Sequence, residues 1–311
     1  MLGTKMFITS AYFTFNQTKY RTMIIFKFQA SVQDIARLNE LEGNTVFGLT
    51  KFSDMSKQEF AERFLLKPGT ISSCNSRERV CINTRDLNVS TNRYEDEVPP
   101  AFDWRKRGVV KPVLNQKLCL GCWAFSIVGV MESMAAIRSL DHESRSIQEL
   151  LDCSTYNKGC DGGSVSIAMD FLCNTQLKIT TEDDYPLTLA KESCRWPNSG
   201  RMLKEFAYQC NLNENTLVHQ VYSHGPLIAA VDASNWLNYI GGVIRRACSV
   251  SNHVIQIVGY DGYGSHSDTS IPYYIIRNSY GEDFGEQGYV KVAIGENVCG
   301  IADQVTIIDV V

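Results

Sequence analysis

The chain has 311 residues, 44% hydrophobic and 21% charged, and carries a net charge of −4. That is enough length for one large domain or two half-size lobes with cores of their own. Scattered lysines and arginines leave no basic stripe for nucleic acid or an anionic membrane surface, and no window approaches the roughly 18 apolar residues of a membrane span.

In chain order, the opening "MLGTKMFITSAYF" has one lysine, an apolar run broken by Thr9 and Ser10, and no small-residue cleavage site. It is a weak secretory leader, and either a cleavable signal or an incomplete or atypical N-terminus is expected. Tyr20 to Leu41 has helical spacing, with Phe28, Val32, Ile35 and Leu38 along one stripe. "VFGLTKFSD" (46–54) reads as a short extended piece. "MSKQEFAERFLL" then starts a helix with Ser56 and Glu59 placed as a capping box. From Lys67 to Pro100 the composition is polar and ends in "YEDEVPP", which predicts a linker and a boundary near Pro99.

Beyond the boundary, Cys122 to Leu140 is predicted helical, with Phe125, Val128, Met131, Ala135 and Leu140 at core spacing. "SIQELLDC" (146–153), with Ser146 and Glu149 as a capping box, and "SVSIAMDFL" (164–172) are two further helices. After about residue 225 the period becomes two. "PLIAAVDA", "HVIQIVGY", "PYYIIRN" and "GYVKVAI" are predicted strands between glycine-containing turns. The expected class is therefore α+β, with a helical front half and a β-rich back half.

Eleven cysteines, at 74, 81, 119, 122, 153, 160, 173, 194, 210, 248 and 299, suggest a disulfide framework and so an oxidising compartment. The odd number leaves at least one thiol over. In "NQKLCLGCWAFS" (115–126), Cys122 has four readings. Structural zinc wants a second close pair of ligands, which is missing. Thioredoxin-type redox chemistry wants a βαβ context, also missing. A structural bridge suits Cys119 but leaves Cys122 needing a partner of its own. A nucleophile needs a lowered thiol pKa, which a helix start provides, and a histidine nearby. His142 and His266 lie in polar loops, and His219 and His224 lie on or near a surface helix. All four are expected at the solvent. His253 instead opens the apolar strand "NHVIQIVGY", where an ionisable ring is costly without a partner.

The order Cys122, His253, then "RNSYG" with Asn278, resembles the papain-like cysteine peptidases. "PAFDWRKRGVVKPVLNQ" (100–116) is similar to that family's mature start, "GCDGG" (159–163) to its cleft wall, and "GYG" (262–264) and "NSYGEDFGEQGY" (278–289) to its later motifs. The resemblance implies a two-lobe fold, with a helical N-terminal lobe and a β-barrel-like C-terminal lobe. A mainly helical inhibitory prosegment (1–97) would precede a mature peptidase domain (98–311).

It further implies Cys122 as nucleophile, His253 as its base and acid, and Asn278 as the group that orients the ring. Gln116, otherwise an exposed loop residue, would serve as oxyanion donor. Gly162 and Gly163 would line the wall for an extended substrate. Ser164, Val165, Ala230, Asn252 and Val254 would line the pocket for the side chain two residues before the cut. Gln304 would lie at that pocket's far end or point to solvent. Val254 narrows the pocket and Ala230 widens the opposite wall, so a medium aliphatic side chain should fit. The implied bridges are Cys119–Cys160, Cys153–Cys194 and Cys248–Cys299. Cys74 and Cys81 can close a small loop in the prosegment, Cys173 reads as a buried small hydrophobe, and Cys210 is unassigned.

Partners implied are protein and peptide substrates, the chain's own prosegment, and cystatin-like inhibitors. A monomer is expected, without metal or cofactor, in a lysosomal or secreted setting. Three departures stand out. Leu120 replaces a small residue, Tyr280 replaces the tryptophan that covers the Asn–His bond, and Ser31 and Thr50 replace prosegment asparagines. The other reading is a non-catalytic binding or inhibitory homologue, against which the intact set Cys122, His253, Asn278 and Gln116 counts.

Overall fold

The computed structural model describes residues 3–71, 74, 76–81, 97–197, 199–246, 250–264 and 271–311. The helices are α1 (Gly3–Glu42), α2 (Lys57–Phe64), α3 (Cys122–Ile137), α4 (Ile147–Cys153), α5 (Val165–Thr175) and α6 (Glu214–Ser223). The strands are β1 (Arg77–Val80), β2 (Phe102–Asp103), β3 (Lys178–Ile179), β4 (Arg201–Cys210), β5 (Leu227–Val231), β6 (Val243–Ile244), β7 (His253–Asp261), β8 (Tyr273–Arg277), β9 (Tyr289–Ala293) and β10 (Gln304–Val310). The sheet runs β1-β4-β10-β5-β7-β8-β9-β6, and β2 and β3 attach to β7 and β4. Among these pairings only β6–β9 is parallel.

Two apolar cores divide the molecule. One gathers α3, α4 and α5 with Leu203, Phe206 and Ile308 of the outer sheet. The other is built on β5, β7, β8 and β9 and takes in Leu38, Phe47, Phe52, Phe60 and Phe64 from the N-terminal segment. This is the two-lobe α+β arrangement. β5 is buried throughout, and β7 throughout except at Asp261, because α3 and α6 cover them.

Several elements differ from the sequence expectation. On α1 the stripe is rotated: Leu38 is buried and Ile35 half-buried, but Phe28 and Val32 are exposed, and Ser31 and Glu42 take the buried positions. Glu42 can do so because it is held by the Arg245 and Arg246 backbone N–H groups at 2.8 and 3.1 Å. Ser56 and Glu59 cap α2 reciprocally. Ser146 caps α4, but Glu149 turns away to accept from the Thr180 N–H at 2.8 Å.

The stretch 67–100 is not a linker throughout, since β1 lies inside it and pairs with β4 over four residues. β4 and β10 were not expected either. Lys204 interrupts the apolar alternation of β4, and its charge is matched by Asp309 of β10 at 3.1 Å.

The cysteines need the largest correction. Cys74 pairs with Cys210 and Cys81 with Cys173, so Cys74 and Cys81 do not close a loop and Cys173 is not a lone hydrophobe. Cys119–Cys160 and Cys153–Cys194 are bonded. Cys299 is in a disulfide, and Cys248, its expected partner, lies outside the described residues. His142 is exposed, but His224 is only half-exposed and its Nε2 lies 2.9 Å from the Ile308 carbonyl. His266 lies outside the described residues.

Candidate active site

Cys122 is the first residue of α3, where backbone N–H groups are unpaired and the helix dipole is positive. It is fully buried and, among the described cysteines, the free one. His253 is the first residue of β7 and is also fully buried. The β7–β8 pairing, with Gln256 opposite Arg277, brings the start of β7 beside Asn278.

His253 Nε2 lies 2.8 Å from Asn278 Oδ1. An amide oxygen only accepts, so Nε2 carries the proton and Nδ1 is the basic nitrogen. Nδ1 has no hydrogen-bond partner. Tyr280 lies over the ring at 5.0 Å and 31°, and Trp236 meets it edge-on at 5.9 Å. Burial pushes the Cys122 thiol up to about 12 and pulls His253 down to about 4. In this form both groups are neutral near pH 7.

Gln116 is buried rather than at the solvent. Its Nε2 donates to the Cys119 carbonyl at 3.0 Å, and its Oε1 accepts from Ser279 Oγ at 2.5 Å. Its N–H donates to the Ser279 carbonyl at 2.8 Å. The amide is thus fixed between the Cys122 loop and the Asn278 loop. Gly162 has φ +111°, and a Cβ on Gly163 would come within 2.6 Å of the Trp123 ring. Both positions therefore need glycine.

Gly163, Ser164, Val165, Ala230, Val254 and Gln304 line one pocket. Gln304 faces into it, accepting at 2.7 Å from the Tyr208 hydroxyl. Asn252 does not line it, since its side chain is spent on Ala233 N, Asp232 and Ser234. Ile71 of the N-terminal segment also lines this pocket, whose volume is about 20 Å³, room for about one water.

The N-terminal segment covers the rest of the site. Phe52, Phe60 and Phe64 pack on Tyr280 at 5.9, 6.0 and 5.8 Å. Lys51 donates to the Tyr280 carbonyl at 2.8 Å, and Phe47 bridges to Tyr239.

Sequence reasoning missed Gln256, Ser279, Tyr208 and Ile71. Gln256 donates to the Phe125 and Ser126 carbonyls at 3.2 and 3.3 Å, tying the histidine strand to the first turn of α3. A polar residue in an otherwise apolar strand was its signal. Ser279 was visible only as the neighbour of Asn278.

Residues 98–308 match the papain family cysteine protease model. The chain belongs to the papain family of cysteine proteases. Human cathepsin O is 37% identical over 290 residues, covering 90% of this chain and 85% of that protein. Mouse cathepsin O is 42% identical over 214 residues, 67% of each. Among solved structures, a recombinant stem bromelain precursor superposes with a TM-score of 0.75 at 28% identity, covering 94% of this chain and 92% of that one. The digestive procathepsin L2 proteinase of Tenebrio molitor larval midgut gives 0.73 at 28% identity, with 97% and 99% covered. This papain-family chain is thus a cysteine-type peptidase with proenzyme-like neighbours. None of its described helices is long and apolar enough to cross a membrane.

Proposed function

We propose that the chain is the precursor of a cysteine endopeptidase, with residues 1–97 as inhibitory segment and 98–311 as catalytic domain. The observation that carries this reading is the free thiol of Cys122 at a helix start, together with the His253–Asn278 bond.

With the cleft open to water, the neutral pair becomes a thiolate and an imidazolium. The Cys122 thiolate attacks the peptide carbonyl carbon. The oxygen's growing charge is met by Gln116 Nε2 and the Cys122 N–H, and one such donor supplies about 10²- to 10³-fold in rate. His253 gives its Nδ1 proton to the leaving amine, and a thioester remains. Water, deprotonated by His253, then hydrolyses the thioester and frees Cys122. Asn278 keeps the Nε2 proton in place throughout.

The substrate is an extended protein or peptide segment lying along Gly162 and Gly163, with an aliphatic side chain in the pocket of Val165, Ala230 and Val254. Four described disulfides fit an oxidising compartment, and the reading places the enzyme in a lysosomal or secreted setting. It acts as a monomer open to cystatin-like inhibitors. Cys122→Ser, with the segment removed, should abolish peptide cleavage while the fold stays intact. Near wild-type cleavage by that variant would remove Cys122 from the mechanism.

A further inference from the structure

The stretch after Leu66 changes side. Up to Leu66 the N-terminal segment lies in the cleft, held by its backbone N–H on the Asn252 carbonyl at 2.7 Å. Its described residues from Cys74 to Cys81 are instead fastened to the sheet and to α5. Cys74–Cys210 and Cys81–Cys173 bond this stretch to β4 and α5, and β1 between them pairs with β4 at four positions. The Cys81 N–H donates to the Lys204 carbonyl at 2.8 Å. Arg77 reaches Asp170 at 2.7 Å, and Arg79 reaches Asn174 at 2.7 Å. With β1 gone, β4 would expose an unpaired edge along this length.

Between the two anchored parts lies one short turn, closed by the Thr70 N–H on the Lys67 carbonyl at 3.0 Å. Lys67, Pro68 and Gly69 in it are exposed, and nothing stands within 4 Å of a Cβ at Gly69.

We propose that the activating cut falls in this exposed turn, Lys67–Thr70, and that residues 74–81 stay in the active enzyme as a disulfide-held strand of its sheet. The inference rests on the reading of the N-terminal segment as the inhibitor, narrows the part that must leave to the residues before the turn, and moves the cut that matters. Hydrolysis of one peptide bond here, with water supplying hydroxyl to the new carboxyl end and a proton to the new amine, separates the aromatic plug from the enzyme. A cut after Cys81, near Pro99, does not. It leaves residues 1–81 on two covalent tethers, and a tethered inhibitor faces its site at an effective concentration in the mM range.

The test uses the full-length protein with a recognition sequence for a site-specific endopeptidase placed between Gly69 and Thr70, in the chain after Cys81, or at both places. After the second cut alone, denaturing gels without reductant should show a single species of full mass, which splits on reduction. Cys122 should stay as inert to a thiol electrophile as in the uncut protein. After the cut in the turn, residues 1–69 should leave on gel filtration and Cys122 should label; after both cuts, the peptide holding Cys74 and Cys81 should remain bonded to Cys210 and Cys173 until reductant is added. Release of residues 1–81 without reductant, or labelling of Cys122 after the second cut alone, would overturn the proposal. Retention of the Cys74–Cys81 peptide is read by mass alone. If it is retained while Cys122 stays unreactive in the opened form, the tether stands and the catalytic reading fails.

Discussion

Leu66 and Gly162 meet across the cleft: the Leu66 Cδ2 lies 3.3 Å from where a Cβ on Gly162 would be. The same leucine is bonded through its N–H to the Asn252 carbonyl, next to His253. The two walls that an extended substrate would use are thus already occupied by the chain's own backbone.

The anchor of that blockade is aromatic. Phe60 is fully buried against Phe52, Phe64 and Tyr280. Truncating a buried phenylalanine costs about 3–5 kcal/mol. Phe60→Ala should therefore lower the melting temperature of the precursor and raise the labelling rate of Cys122 in the uncut protein. An unchanged labelling rate would mean that the plug is held elsewhere.

Gln116 is expected to act in the transition state alone. Gln116→Ala in the opened enzyme should lower kcat by about 10²- to 10³-fold and leave KM nearly unchanged. Ser279→Ala, which frees the amide oxygen without removing the donor, should cost less. A loss confined to KM would place Gln116 in substrate binding.

Acid should open the site. Burial holds His253 at about 4, below its ordinary value of 6.5, so the closed form resists protonating it. The stability this lends the closed form is complete above about pH 6.5 and is lost as pH falls toward 4. Glu59, lowered from 4.5 to about 2 chiefly by its hydrogen bond to Lys27, keeps its contribution above about 4.5 and loses it only as pH falls toward 2. The α1–α2 contact should thus outlast the seal over the site. Once corrected for the intrinsic slowing of amide exchange in acid, the protection of residues 46–66 in a Cys122→Ala precursor should fall between pH 6.5 and 4, and His253→Gln should flatten that change. Equal pH dependence in both proteins would assign the opening to other groups.

Ile71, Val254 and Ala230 share one small apolar pocket. With Val254 and Ala230 lining it, leucine or valine two residues before the cut should be preferred over phenylalanine. One misfit methylene is worth about 1–3 kcal/mol, so the preference should be graded. Val254→Ala should raise the relative rate for phenylalanine. Gln304→Glu should raise it for arginine, because the carboxylate would repay the desolvation of the guanidinium. A peptide library varied at this position reads both, and arginine outperforming leucine in the unaltered enzyme would refute the pocket.

The α+β class and the helices around Cys122 and Ser146 were legible because apolar spacing and caps are local signals, whereas the two lobes were implied by the family resemblance. Cys122, His253, Asn278 and Gln116 were singled out through the family's motifs, and the structure brings the His253 ring to Asn278 at 2.8 Å. The partners of Cys74 and Cys81 were not, since a disulfide across 136 or 92 residues leaves no trace in spacing. β1 was hidden for a related reason. "RERV" is too short and too charged to read as a strand, and it becomes one because its neighbours are bonded to β4 and α5. The face of α1 was misjudged because Glu42, polar in sequence, is buried by contacts made far along the chain.

The most direct measurement is the rate at which an alkylating reagent modifies Cys122, followed from pH 3 to 10 by peptide mass in the uncut protein and in protein opened between residues 67 and 70. The uncut protein should react negligibly near pH 7, because burial holds the thiol near 12. The opened protein should react fast, with a rate that falls only below about pH 3–4, where a thiolate held by an imidazolium takes up its proton. An opened protein whose Cys122 reacts no faster than the uncut one, or follows an ordinary thiol with a midpoint of about 8.5, would contradict the assignment.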